Sequence, residues 1–534
     1  MKNHRKNLFP LAFLPLLLSS CVGASPAKGY KIEEVDNAGG SAFYEIFVGS
    51  FCDSNGDGIG DLKGIESKLD YLKQLGVGGL WLTPIHPSNT YHHYDVEDYY
   101  SVSPDFGTLE DFKSLVGAAH EKGMKVILDM VFNHVSNRSQ WYKDWKSVVI
   151  ARDKTNPMYG DFVWKTMNDP TAHDGYHVDA QLQVKIESNF SDTMVELNYD
   201  SEHVREEIAK VQDFWLDAGC DGFRYDAVRY FYVQNNSGGT ITPNISKNVE
   251  VMTFLAESAR AKKPDCYLIG EDWAEASEIM EGYSSGMNLF YFPTSGTSTP
   301  TGVGSIHTAR NYRAFGNAVV SANNAIKEKN PNADLAIFVS NHDEDRWGDY
   351  HDGMKYASEQ RKAMASSYLL TPGTPFIYYG EELEMTGTRG KTDMTDAMRR
   401  QAMLWGEEEI TCKQPENFVV ANQGGKTVKE CEENDFSSLN HYRKVLSIRN
   451  KYNDVFRNGN FEMYEINGSG TGYGFKITYN GEVYYLIHNV YEDEIVATLP
   501  EGLSLLEDIN TLQTAASLSS NKLTLPGYSS ALLR

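Results

Sequence analysis

The sequence predicts an α/β fold: a (β/α)₈ TIM barrel with an insertion subdomain after strand 3 and a C-terminal antiparallel β domain. Three observations carry this reading. Eight short strand-like runs alternate with helical patterns over roughly 400 residues, the span of a barrel with insertions. The rhythm breaks once, in a long polar stretch after the third strand. Helical patterns then vanish near Phe456, and only strand patterns follow.

The elements follow in order. FYEIFVGSF, from Phe43 to Phe51, reads as the first strand. Leu62, Ile65, Leu69, Leu72 and Leu75 share one helical face that stops at Gly76. VGGLWLTPI, from Val77 to Ile85, is a buried strand. Leu109, Phe112, Leu115, Val116 and Ala119 form the apolar stripe of the next helix, ended by Gly123, and KVILDMVFNH, from Lys125 to His134, is strand three. GFRYD, CYLIGED, NLFYFP, LAIFVSNHDE and PFIYYGEE supply five more. Residues 135–199, rich in Trp, Tyr, Asn and Asp and without a clear helix, are expected to form the insertion, leaving 41–134 and 200–455 to the barrel. In 456–534, YGFKITYNGEVYYLIHN reads as a hairpin turning at Asn480-Gly481 within a β-sandwich.

Composition narrows the partners. At 534 residues and 41% hydrophobic, the chain can bury a large core. Its formal net charge is −24, and no basic block lies outside the extreme N-terminus. Nucleic acid and anionic membrane surfaces are therefore poor partner candidates, and a neutral ligand or bound cations fit better. The first 20 residues have a basic start and an apolar run from Leu8 to Leu18, the layout of a secretory signal and too short for a membrane span. LSSC then resembles a lipobox, making Cys21 a lipidated first residue, residues 21–40 a tether, and the location extracytoplasmic at a bacterial cell envelope. An ordinary cleaved signal is the alternative. Five further cysteines are too few for a disulfide scaffold; pairing of Cys412 with Cys431 stays open.

The charged strand ends point to chemistry. Barrel enzymes work at the C-terminal ends of their strands. There the sequence places Asp129, Asn133 and His134 after strand three, Arg224 and Asp226 on strand four, Glu271 after strand five, and His342 and Asp343 after strand seven. Arg224 and Asp226 stand two apart, so both face one side, and burying that ion pair needs a use. Carboxylates converging beside cationic and imidazole groups are the equipment of glycosyl transfer: one attacks, one protonates the leaving oxygen, others stabilise positive charge at the sugar carbon. A separate stretch, DSNGDGIGD, sets Asp53, Asn55, Asp57 and Asp61 at alternate positions with the Ile59 carbonyl between them and Gly58 sixth. That is the ligand spacing of an EF-hand loop, without the loop's final glutamate. A plain Asp/Gly-rich turn is the alternative.

DMVFNH, GFRYDAVRY, IGEDW and FVSNHDEDR, in that order, with GTPFIYYGEELEM after them, resemble the ordered motifs of the α-amylase family of glycoside hydrolases from about Phe43 to Arg534. The mixed pattern is similar to bacterial lipoprotein α-amylases intermediate between amylases and oligoglucosidases. The resemblance implies Asp226 as nucleophile, Glu271 as general acid/base and Asp343 as transition-state stabiliser. It implies that His92, Tyr94, His134, Arg224, His342 and Arg346 bind the sugar, and that a structural Ca²⁺ sits in the Asp53–Asp61 loop behind strand one. Arg224 is expected to hold Asp226 ionised by lowering its pKa. Arg346 reads equally as a rim salt bridge, and Trp273 as either a sugar platform or packing. His93 replaces a glycine frequent in the family, which is expected to narrow the approach. Arg229-Tyr230 replaces a Lys-His pair, putting the family's usual calcium site between barrel and insertion in doubt. Ala227 leans towards α-1,4 links, and Tyr91, where exo-acting relatives carry aspartate, leans towards internal cleavage of starch and malto-oligosaccharides. An exo-acting α-glucosidase, a 4-α-glucanotransferase and a non-catalytic sugar-binding barrel are the alternatives.

Overall fold

The computed structural model describes residues 41–235, 241–272, 280–291, 312–351, 353–390, 395–406, 412, 425–466 and 472–534. The expected signal, the tether with Cys21, and Trp273 lie outside these residues.

Eight parallel strands form the centre: β1 (Phe43–Ile46), β2 (Gly79–Leu82), β3 (Lys125–Met130), β4 (Gly222–Tyr225), β5 (Tyr267–Gly270), β6 (Asn288–Tyr291), β7 (Ala336–Ile337) and β8 (Phe376–Tyr378). Their hydrogen-bonded order is β7-β6-β5-β4-β3-β2-β1-β8. Only the β7–β8 seam lacks a ladder; there Thr374 N donates to the Leu335 carbonyl at 2.9 Å. Alternation along each strand stacks the interior in layers. Phe43, Trp81, Ile127, Ile269, Phe290, Ala336, Phe338 and Phe376 make one buried apolar plug. Two residues further along, on the same faces, come Glu45, Asp129, Arg224 and Glu271. A charged layer thus lies directly above an apolar floor.

The helices end as their sequences dictate. The first predicted helix is two, Leu62–Ser67 and Leu69–Leu75, meeting at Lys68 and closed by Gly76 in the left-handed region at φ 95. Leu109–Glu121 begins with a capping box between Thr108 and Asp111.

Strand three stops at Met130, before the expected His134. His134–Ser136 instead pairs antiparallel with Met194–Glu196, forming the root of the insertion. The insertion also holds a helix that its sequence hid, Gln140–Ala151, capped by Ser139. Its buried residues are only Tyr142 and Trp145, which leaves no regular apolar stripe to read. A three-stranded sheet, Trp164–Thr166, Tyr176–Asp179 and Val184–Glu187, completes the subdomain.

The last helix runs from Asn453 to Asn458, slightly past Phe456, and a five-stranded and a three-stranded sheet follow. The expected hairpin turns at Asn480 and Gly481, with φ of 50 and 80, and pairs Tyr479 with Glu482. All five described cysteines are buried free thiols, so Cys412 and Cys431 are not bonded to each other.

Candidate active site

Arg224 is the hub, with no exposed surface. Its Nη1 donates to Asp129 Oδ1 at 2.8 Å and Asp226 Oδ1 at 2.6 Å, and its Nη2 lies 2.9 Å from Glu271 Oε2. The strand register explains the meeting. Asp129 and Ile269 are the partners of Arg224 on β3 and β5, and Asp226 and Glu271 stand two residues beyond Arg224 and Ile269. Ala227, directly after Asp226, turns into the left-handed region at φ 50 and donates its N–H to Glu271 Oε2 at 3.0 Å. Such backbone strain costs on the order of 1–3 kcal/mol and collects at working sites.

Burial pushes the Asp226 carboxyl well above the usual range; Arg224 opposes this, while Glu271 and Asp129 reinforce it. The expectation that Arg224 keeps Asp226 low is therefore corrected. One guanidinium is divided among three carboxylates, and like charges this close favour keeping a proton within the group.

A second cluster faces it. His342 Nδ1 contacts Glu45 Oε1 at 2.5 Å, and its Nε2 contacts Asp343 Oδ2 at 3.0 Å and Tyr94 Oη at 2.7 Å. Tyr94 also donates to Asp129 Oδ2 at 2.9 Å and stacks on His342, with centroids 5.3 Å apart, so it joins the two clusters. Burial alone would lower the His342 pKa, but Asp343 and Glu45 raise it to about 10. Burial likewise opposes ionisation of Asp343, yet His342 and Arg400 hold its carboxyl well below the usual range. Asp343 is thus a standing negative charge facing Asp129 and Asp226, whose carboxyls burial pushes up.

A pH prediction follows from His342. Its pKa is raised on folding, so its contribution to stability is complete below about 6.5, the ordinary imidazole value. That contribution is lost as pH rises towards about 10. The gap in thermal midpoint between the natural protein and His342→Gln is expected to shrink across this window, as measured by scanning calorimetry; a gap that stays constant contradicts the assignment.

Comparison with known proteins places this geometry. Residues 45–459 match the model of the α-amylase catalytic domain, which is more than half of the chain. The chain belongs to the α-amylase family. It is 33% identical over 500 residues to alpha-amylase 3 of Dictyoglomus thermophilum, covering 92% of each protein. It is 29% identical over 486 residues to the probable oligo-1,6-glucosidase 3 of Bacillus subtilis, covering 79% of this chain and 85% of that one. The solved structure of Eubacterium rectale Amy13B superposes with a TM-score of 0.83 at 33% identity, over 96% of this chain and 97% of that one. This α-amylase-family chain is therefore a glycosidase, intermediate in its likeness between amylases and oligoglucosidases.

The remaining predicted positions divide. His134 is buried; its Nε2 donates to the Tyr94 carbonyl at 3.0 Å, and burial lowers its pKa to about 4, so it is a neutral support behind Tyr94. His92 is half-buried, and its Nδ1 accepts from the Tyr94 N–H at 3.1 Å. Arg346 is not at the cleft, which corrects its assignment as a sugar ligand. It is 1% exposed, packs on Tyr378 and Tyr379, and donates to the Tyr379 and Arg399 carbonyls at 2.7 and 2.9 Å. Nor does His93 narrow the approach. At φ 63 it occupies a backbone region that favours glycine, and its ring is turned inward onto Phe106 and the His86 carbonyl.

The position that sequence reasoning missed is Arg400. Its Nη2 lies 2.7 Å from Asp343 Oδ1, its Nε donates to the His342 carbonyl at 2.9 Å and its Nη1 to Tyr91 Oη at 2.9 Å. The signal was present in MRRQAM, an arginine pair inside an apolar, buried run. Glu45 was missed too, although a lone carboxylate in the apolar FYEIF is the same kind of signal.

The Asp53–Asp61 loop curls around Gly56 and Gly58, at φ 88 and 95. Asp53 accepts from the N–H groups of Asn55, Gly56 and Gly58 at 2.9, 2.7 and 2.7 Å. Asp61 accepts from Ser54 N at 2.8 Å and caps the next helix through Gly64 N at 2.7 Å. Among the described residues no three His, Cys, Asp or Glu side chains are grouped so as to hold a metal. The loop's donors are all hard oxygens, counting the Asn55 amide and the Ile59 carbonyl, the ligand type Ca²⁺ takes, but Asp53 Oδ1 and Asp61 Oδ2 each already accept two hydrogen bonds.

Proposed function

We propose that this glycosidase cleaves internal α-1,4-glucosidic bonds of starch and malto-oligosaccharides by double displacement with retention. One observation carries the proposal: Asp226 and Glu271 are held by neighbouring nitrogens of one guanidinium, which suits the close spacing of a retaining pair, about 5–5.5 Å. Asp226 attacks the anomeric carbon while Glu271 gives its proton to the departing glycosidic oxygen. Glu271 then takes a proton from water, whose oxygen displaces Asp226 and restores the α configuration. Asp343 stabilises the cationic transition state electrostatically, and the free face of Tyr94 offers itself to the sugar ring. In transfer to another sugar, the acceptor hydroxyl takes the place of that water.

The hydrogen bond between Tyr91 and Arg400 favours a second reading. It ties two side chains together beside Asp343, where they narrow one side of the site, as an exo-acting enzyme requires. Maltoheptaose blocked at its non-reducing end separates the two. Early release of blocked short fragments with maltose and maltotriose supports internal cleavage, whereas survival of the blocked sugar with glucose release from the free one supports exo action.

Ca²⁺ at the Asp53–Asp61 loop and a lipid on Cys21 complete the proposal. Chelation is expected to lower the thermal midpoint by several degrees in the natural protein and not in Asp53→Ala, because a ligand held only by the folded state stabilises it. An equal response in both removes the site. Incorporation of labelled palmitate that persists in Cys21→Ser would remove the anchor.

A further inference from the structure

The opposite end of the barrel holds a cavity that the glycosidase reading leaves unused. Its volume is about 470 Å³, within the range of small-molecule sites. Strand alternation places it. Residues two before the apolar plug on the same faces are Lys125 on β3, Tyr267 on β5, Asn288 on β6 and Asp334 before β7, and all four line the cavity. Gly79 pairs with Lys125 and Gly222 with Tyr267, and neither adds a side chain to this layer. The plug separates it from Arg224 and the carboxylates above.

The lining is cationic in a chain of net charge −24. Lys125 and Arg260 are half-buried, and neither side chain has a hydrogen-bond or ion-pair partner among the described residues. Arg260 lies along Gly286, where a side chain would meet its Nη1 at 3.0 Å. Arg457 also lines the cavity but is spent on Asp334, at 2.6 Å. Asp334 is further neutralised by Lys327 at 3.8 Å and by Thr374 at 3.1 Å. Exposed Asp265 is the one opposing charge at the rim, so the two unmatched cations leave a net positive mouth. Holding a lysine and an arginine half out of water with one exposed carboxylate between them and no ion pair is costly unless an anion completes the balance. A guanidinium fork beside an ammonium matches tetrahedral oxyanions, the first bidentately and the second as a point charge.

We propose that this lower mouth binds a phosphate group, through Lys125 and Arg260, independently of the glucan cleft. The phosphate belongs to a soluble phosphate ester or to a lipid headgroup.

The test uses the purified protein with inorganic phosphate as probe, read by thermal midpoint and by titration calorimetry, against sodium chloride of equal ionic strength. Phosphate is expected to raise the midpoint by about 2 °C or more and to bind with one-to-one stoichiometry. Lys125→Gln and Arg260→Gln should each weaken this and together abolish it, with midpoints in chloride no lower than the natural protein's and unchanged glucan hydrolysis showing that the variants fold. No binding heat, or the same shift in the double variant, overturns the proposal. Flotation with phosphatidylglycerol and phosphatidylcholine vesicles then identifies the source. Capture by the anionic vesicles alone, lost in the double variant, assigns a headgroup, and phosphate binding without capture assigns a soluble ester.

Discussion

Replacing Asp226 with asparagine is expected to lower kcat on malto-oligosaccharides by about 10⁴-fold or more, and replacing Glu271 with glutamine by about 10²–10⁴-fold. The two losses differ in kind. Without Glu271 the leaving oxygen receives no proton, so a substrate whose leaving group needs none, such as α-glucosyl fluoride, still glycosylates Asp226. Added azide should then restore turnover of Glu271→Gln by displacing Asp226, giving an α-glycosyl azide. Asp226→Asn has no carboxylate to form the intermediate, and neither device rescues it. Equal loss on natural and activated substrates in Glu271→Gln, with no azide product, would contradict the assigned roles.

The second large effect falls on stability. Arg224→Met is expected to destabilise the fold by about 3–5 kcal/mol near neutral pH, because it strands charges that lie out of water. Asp129 and Asp226 sit at 1% and 8% exposure, with Arg224 between them. Burial raises both pKa values, and removing Arg224, the largest opposing influence on each, lifts them further above the unfolded ones. A carboxyl raised in this way favours the protonated fold, so the deficit should narrow as pH falls from about 7.5 to about 5 and widen as it rises. Urea unfolding at both ends checks this. A deficit below about 1 kcal/mol, or one indifferent to pH, would mean that Arg224 is not the charge that holds the layer together.

The barrel was legible because its strands are short apolar runs with charges at their far ends, and a period of two carries each charge to the same side as its neighbours. Asp129, Arg224, Asp226 and Glu271 were found in this way, and register then forces them into contact. What strand periodicity cannot report is the surroundings of a residue on a loop. Arg346 stands in a motif beside the site, yet its side chain turns into Tyr378 and Tyr379. Arg400 stands in no strand pattern and nevertheless touches Asp343. The same limit hid His93: a motif comparison registers a bulky residue where glycine is frequent, whereas φ 63 and the Phe106 contact show that glycine is favoured there for its backbone and that the imidazole is stowed away from the cleft. The pKa of Asp226 was misread for a related reason. A sequence shows one arginine two residues away, but not the two further carboxylates that share it.

The most direct test is to trap the covalent intermediate. Glu271→Gln incubated with α-glucosyl fluoride should accumulate a glycosyl ester, detected by intact mass and assigned by peptide mapping to the segment from Asp221 to Tyr230, on Asp226. Proton NMR of the natural enzyme's first products should show the α-anomer. No adduct together with initial release of the β-anomer would mean that water attacks directly, and that Asp226 is not the nucleophile.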